Sequence, residues 1–232
     1  MRDTTLRDAR QLGLVPSVTT ILQEASKPAL TNWMIDQALM AALTLPRPDS
    51  EPLDLFMARA KEDAKQQAIK AAERGTELHN ALEHYYLGNG DYIVDADRPF
   101  VGGVASAIFQ KYGQRAWIAE HSFASPLGFG GKMDLHCPGI VLDFKGKDFK
   151  PGEELKPVAY DEHAMQLSAY GSGVFQPDAL RVNVFFDRKV PGKVAIYEWP
   201  AGGDYFERFL CLLEYWKRRN NYWPGQSQQR AA

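Results

Sequence analysis

Hydrophobic positions change period near residue 114. Before that point they recur every three or four residues, the spacing of one helical face; after it they alternate over short runs broken by Gly and Pro. Residues 1–15 are polar and read as irregular. Pro16-Ser17-Val18-Thr19-Thr20-Ile21-Leu22 predicts a short helix capped by Ser17. Pro28 opens a second helix to about residue 43, with Leu30, Trp33, Met34 and Ala41 on its apolar side. The proline-rich stretch 45–52 reads as a loop, and residues 54–87 carry the longest helical pattern. A Gly88-Asn89-Gly90-Asp91 loop then leads to a helix over 99–112 that Gly113 ends.

The second half predicts strands over 116–123, 131–137 and 140–145, a helix over 161–175, strands over 181–187 and 193–199, and a closing amphipathic helix from Tyr205 to beyond Trp216. That order gives an α/β fold: a central mixed β-sheet flanked by helices, with a helical N-terminal half. The expected organisation is a single domain over 1–232. Its parts are a mainly helical 1–113, an α/β core over 114–224 and a disordered tail over 225–232.

Composition narrows the setting more than the chemistry. The 232 residues are 45% hydrophobic and 24% charged, ordinary for a globular domain able to bury a core. A formal net charge of −2 leaves any nucleic-acid contact to local basic clusters. Cys137 and Cys211 are too few for a four-thiolate iron–sulfur cluster, and Cys211 is expected as a reduced core residue. There is no membrane-length apolar run and no apolar signal core after Met1, so the expected location is the cytoplasm, without a membrane partner.

The candidate chemistry centres on Asp143-Phe144-Lys145. On a strand, Val141, Asp143 and Lys145 share one face and Ile140, Leu142 and Phe144 the other. Ile140, Leu142 and Phe144 read as buried, which leaves an acid and a base side by side on the opposite, open surface. A hairpin through Pro138-Gly139 sets Asp134 opposite Asp143. Like charges so placed destabilise the sheet unless a cation lies between them.

Further positions extend the site. Gly75 and His79 are four apart on one helical face, and the glycine would let that helix pack closely. A zinc reading of His79, Glu83 and His84 fails, because the histidines are five apart rather than four. Glu120 lies on the strand before Asp134. Gln166 and Tyr170 project together from one helix, and Arg74, Lys147 and Lys150 add cations that a phosphodiester backbone needs.

The order Gly75-x-x-x-His79, Asp134, Asp143-x-Lys145, Gln166-x-x-x-Tyr170 resembles the RecB-like branch of the PD-(D/E)XK nucleases. The segment Pro16 to Leu22, with Leu30 and Trp33, resembles the N-terminal signature of phage exonucleases related to the mitochondrial genome maintenance exonuclease. Where this branch often has threonine after the lysine, the chain has Gly146. The resemblance implies a restriction-endonuclease-like core and a hydrolase with Mg2+ (or Mn2+) as cofactor. His79, Asp134, Asp143 and the Phe144 carbonyl would be ligands, and Lys145 would act on the attacking water. Gln166 and Tyr170 would position Lys145 and the DNA backbone, and Glu120 joins the catalytic set. The expected function is a DNA exonuclease preferring single-stranded DNA or frayed ends, working in DNA recombination with a possible single-strand annealing or recombinase partner. Two other readings stay open: a double-strand 5′ exonuclease serving a phage recombinase, and an inactive nuclease-fold DNA-binding module.

Overall fold

The computed structural model describes residues 6–149, 152 and 159–224; Lys150 and the 225–232 tail lie outside the described residues. Five helices come first: α1 (Leu6–Leu12), α2 (Val18–Leu22), α3 (Pro28–Thr44), α4 (Leu53–Tyr86) and α5 (Arg98–Tyr112). Strands β1 (Ile118–Ser125), β2 (Phe129–Cys137) and β3 (Ile140–Lys147) follow, then α6 (Asp161–Gly173), β4 (Leu180–Asp187), β5 (Val194–Glu198) and α7 (Tyr205–Asn220). The result is the expected α/β architecture, a five-stranded mixed sheet in the order β1-β2-β3-β4-β5 with helices against it and a helical N-terminal half. Every adjacent pair is antiparallel except β3 and β4, which run parallel and are joined through α6.

Local chemistry explains the element ends. The Ser17 hydroxyl accepts the Thr20 amide at 3.1 Å and so caps α2. Pro28 opens α3 at a position where a missing N–H is harmless. Gly113, at φ 70°, ends α5 in a conformation that favours glycine. The β2–β3 turn holds Gly139 at φ 84°.

The chain forms two compact units, Ser26–Leu78 and the remainder. In the smaller one, Arg59 grips Glu51 through two nitrogens at 3.1 and 2.8 Å, and Arg47 and Arg59 both lie over the Phe56 ring. Of the apolar side expected on α3, Ala41 is buried while Leu30 and Met34 are exposed. In the larger unit, α2, α6 and α7 pack together beside the sheet. Val18, Ile21, Phe129, Met133, Val141, Leu167, Phe209 and Leu213 form its core. Each such side chain contributes about 1.5–3 kcal/mol of burial. α5 packs against β4 and β5. Among the described residues no helix is long and apolar enough to cross a membrane.

Three expectations are corrected. Residues 6–12 are helical rather than irregular. The segment is tied down from the far end of the chain: Arg10 donates to the Asn220 carbonyl, and Tyr222 Oη donates to the carbonyls of Ala9 and Leu14. Cys211 is exposed, because the buried stripe of α7 runs through Phe209, Leu213 and Trp216 and position 211 falls outside it. The Asp143 face of β3 is not open: every residue from Ile140 to Phe144 is buried. With α6 laid over the sheet, β3 is a central strand covered on both sides.

Candidate active site

Asp134 sits where the sheet ladder opens. β1 and β2 pair Ala119 with Leu135 and His121 with Met133, skipping the Glu120–Asp134 rung between them. Glu120 is at φ 55°, an uncommon backbone for a residue with a side chain, and such strain collects at functional sites. On the other side, β2 and β3 pair Cys137 with Ile140, His136 with Val141 and Leu135 with Leu142. The next positions in that register are Asp134 and Asp143, the opposition the hairpin count expects. No backbone pair closes there; the Phe144 amide donates to Asp134 Oδ2 instead, at 2.7 Å.

A second group reaches the same oxygen. His79, near the C-terminal end of α4, places Nε2 3.1 Å from Asp134 Oδ2. One ligand atom each from His79, Glu120 and Asp134 falls within a 4.8 Å group. Opposed oxygens around a hexacoordinate Mg2+ lie about 4.2 Å apart, so the group is at most somewhat wider than such an ion's shell, and two carboxylates with an imidazole make a mainly hard donor set. Burial pulls the His79 pKa down, but the hydrogen bond and charge of Asp134 outweigh it and hold the imidazolium above its ordinary range. Burial raises the Glu120 pKa, with Glu83 and Asp134 adding to it and Lys132 opposing. Lys132 forms an ion pair with Glu120 and approaches Glu83 at 3.8 Å.

Asp143 belongs to a neighbouring network. Gln166 Nε2 donates to its Oδ1 at 3.0 Å and Asn183 Nδ2 to its Oδ2 at 2.8 Å. Lys145 Nζ lies 2.6 Å from Oδ2 and also donates to Gln166 Oε1 at 3.1 Å. Gln166 Nε2 reaches the Tyr170 hydroxyl at 2.9 Å. The two α6 residues therefore form a buried bracket around the acid–lysine pair rather than a polar stripe on a surface. Burial and the charge of Asp134 push the Asp143 pKa up to about 6, while Lys145 and His79 oppose the rise.

Of the expected ligands, His79 and Asp134 come together with Glu120. Asp143 adjoins that group with its oxygens already hydrogen-bonded, and Phe144 contributes its amide. Lys147 Nζ lies over the rings of Phe185 and Tyr160, at 4.6 and 5.1 Å, and burial together with Lys145 lowers its pKa to about 8. Arg74 lies in the smaller unit and forms an ion pair with Glu77 at 3.1 Å. Gly146 has a packing reason: a side-chain carbon there would come within 3.2 Å of Phe186 and Arg188.

Asn183 was missed by sequence reasoning. It is fully buried, and while its Nδ2 holds Asp143 its Oδ1 accepts the Trp199 indole N–H at 2.8 Å. The available signal was an amide in the apolar run Val182-Asn183-Val184-Phe185-Phe186, since a buried polar group needs partners. Lys132 gave no comparable signal, because a strand lysine is usually solvated.

No family model matches the chain, and no curated protein does. Among solved structures, one that it resembles weakly is the crystal structure of SSO0001. The two share 16% identity over 80% of this chain and 84% of that one, with a TM-score of 0.34.

Proposed function

We propose that this protein is a metal-dependent DNA exonuclease of the RecB-like branch of the PD-(D/E)XK nucleases, acting on single-stranded DNA or frayed ends. The observation that carries this reading is the adjacency of two groups at one opening in the sheet. His79, Glu120 and Asp134 gather donors suited to Mg2+ or Mn2+, and beside them Lys145 is held by Asp143 and Gln166. A bound divalent cation supplies a water of lowered pKa and screens charge developing on the phosphate.

The chain's own residues do the rest. Lys145 keeps part of its side chain in solvent while Asp143 and Gln166 fix its direction. As an ammonium it can donate to a phosphate oxygen and orient the attacking water. Asn183 and Gln166 keep the Asp143 oxygens from turning. Lys132, half-exposed on β2, offers a cation to the approaching backbone.

The test is cleavage of end-labelled single-stranded and blunt duplex oligonucleotides in Mg2+, in Mn2+ and in EDTA. Wild type should shorten the single strand only with metal. Lys145→Ala should lose at least about 100-fold in rate, the lower range for a positioned proton-handling group, while still binding DNA. Absence of Mg2+-dependent cleavage overturns the enzyme reading in favour of an inactive binding module. A preference for blunt duplex moves the protein to the double-strand 5′ exonuclease.

A further inference from the structure

The last turns of α4 carry more aromatic surface than the core uses. His79, Glu83 and Tyr86 recur at helical spacing and share one face. His79 reaches Asp134, Glu83 approaches Lys132, and Tyr86 stacks on Phe144 with centroids 6.1 Å apart and planes at 25°. Phe144 in turn meets His79 edge-on at 5.8 Å. Tyr85 stands edge-on against Tyr86 at 5.1 Å and is 46% exposed. A continuous line of rings thus runs from solvent at Tyr85, through Tyr86 and Phe144, to the His79–Asp134 pair.

Packing accounts for the inner rings and not for the outer one. Tyr86 and Phe144 fill space between α4 and β3. Tyr85 is braced by a neighbour yet leaves much of its ring in water. A ring already held in place loses little freedom when a planar ligand covers it. The residue before it, His84, stacks on Tyr92, which is exposed and follows Asp91 in the chain, while Asp95 is paired with Arg98. Asp91 sets a carboxylate there that repels a phosphate backbone, whereas the site side carries Lys132 and Lys145, each ion-paired with an acid and part-exposed toward an approaching strand. The two features set an orientation: bases toward the rings, phosphates toward the lysines.

We propose that Tyr85, backed by Tyr86 and Phe144, is a stacking platform for the unpaired bases of single-stranded DNA whose backbone enters the acid group. The inference rests on the nuclease reading of that site. A duplex has its base faces already stacked, so only an unpaired strand offers the surface that the ring takes, with little regard to sequence.

The test is equilibrium binding in EDTA by fluorescence anisotropy, on the full chain, with three labelled probes: an oligo(dT) strand of about 12 nucleotides, an abasic strand of equal length and a blunt duplex. Wild type should prefer oligo(dT) over the abasic strand. Tyr85→Ala and Tyr85→Leu should weaken oligo(dT) binding by about 10-fold and leave the other two probes unchanged, and Tyr85→Phe should restore it. Equal oligo(dT) affinity in wild type and Tyr85→Leu overturns the proposal. So does an equal loss on the duplex, or no wild-type preference over the abasic strand. Cleavage in Mg2+ is read separately. A protein that shows ring-dependent binding but never cleaves sinks the enzyme reading alone, and one that cleaves without ring dependence sinks the platform alone.

Discussion

Asp143 illustrates how surroundings reverse an argument made from charge alone. Two carboxylates opposed across a hairpin suggest that neutralising one relieves repulsion, an effect of roughly 0.2–1 kcal/mol for such a pair. In the fold, Asp143 accepts from Asn183, Gln166 and Lys145. Neither amide can turn to offer its oxygen: that of Asn183 is occupied by Trp199 and that of Gln166 by Lys145. Asp143→Asn must therefore set an NH2 against a donor, leaving a buried polar group unpaired at about 1–3 kcal/mol. The unpaired donor is expected to outweigh both the repulsion and the burial of charge that the substitution relieves. Urea unfolding in EDTA should find the variant less stable than wild type. Equal or greater stability would mean that repulsion from Asp134 dominates.

The strands and helices were the most legible part of the sequence. Period, caps and turn residues placed α2 to α7 and all five strands to within a few residues, and the hairpin count gave the register that β2 and β3 follow from Cys137–Ile140 to Leu135–Leu142. The cap is open to a direct check: Ser17→Ala should cost about 1 kcal/mol in urea unfolding, because the Thr20 amide loses its acceptor. What stayed illegible depends on contacts far apart in the chain. α1 is held by Asn220 and Tyr222, and the cover over the Asp143 face comes from α6. The backbone break at Glu120, which brings a second acid to the group, has no local signal at all.

The β1–β2 pair also holds two histidines. His121 Nδ1 lies 2.8 Å from His136 Nε2, and His136 is buried. Burial and the neighbouring His121 lower the His136 pKa. Above about pH 6.5 this ring is neutral in both the folded and unfolded chain and contributes no pH dependence. As pH falls below that value, the unfolded chain takes up a proton that the folded ring resists, so stability declines. His79 acts in the opposite sense, since its raised pKa adds stability at low pH that is lost as pH rises through its folded value. Comparing urea unfolding at about pH 7.5 and about pH 5.5, His136→Gln should flatten the acid-side decline. An unchanged decline would assign it to other groups.

For the molecule as a whole, a cation that binds only the folded chain would stabilise it by mass action. A cation bound at 100 times its dissociation constant stabilises the fold by about 2.7 kcal/mol. Mg2+ should therefore raise the melting temperature of wild type above its value in EDTA. His79→Ala should need more metal for the same rise, and an identical titration would remove His79 from the ligand set.

The parts of the site also differ in how far apart they lie along the chain. Asp143, Lys145, Gln166, Tyr170 and Asn183 all come from the stretch between Ile140 and Asp187, the β3–α6–β4 unit. His79 and Glu120 arrive from outside it. A chain emerging from the ribosome or refolding from denaturant can thus assemble the lysine bracket from near neighbours. The His79–Glu120–Asp134 group closes only after His79 has been brought in from far along the chain, the slower kind of contact to make. On the proposed function, metal affinity would then act as a checkpoint on completed folding: a half-folded chain that already carries its lysine would have no means yet of holding an ion, and so would pose no threat to the DNA around it.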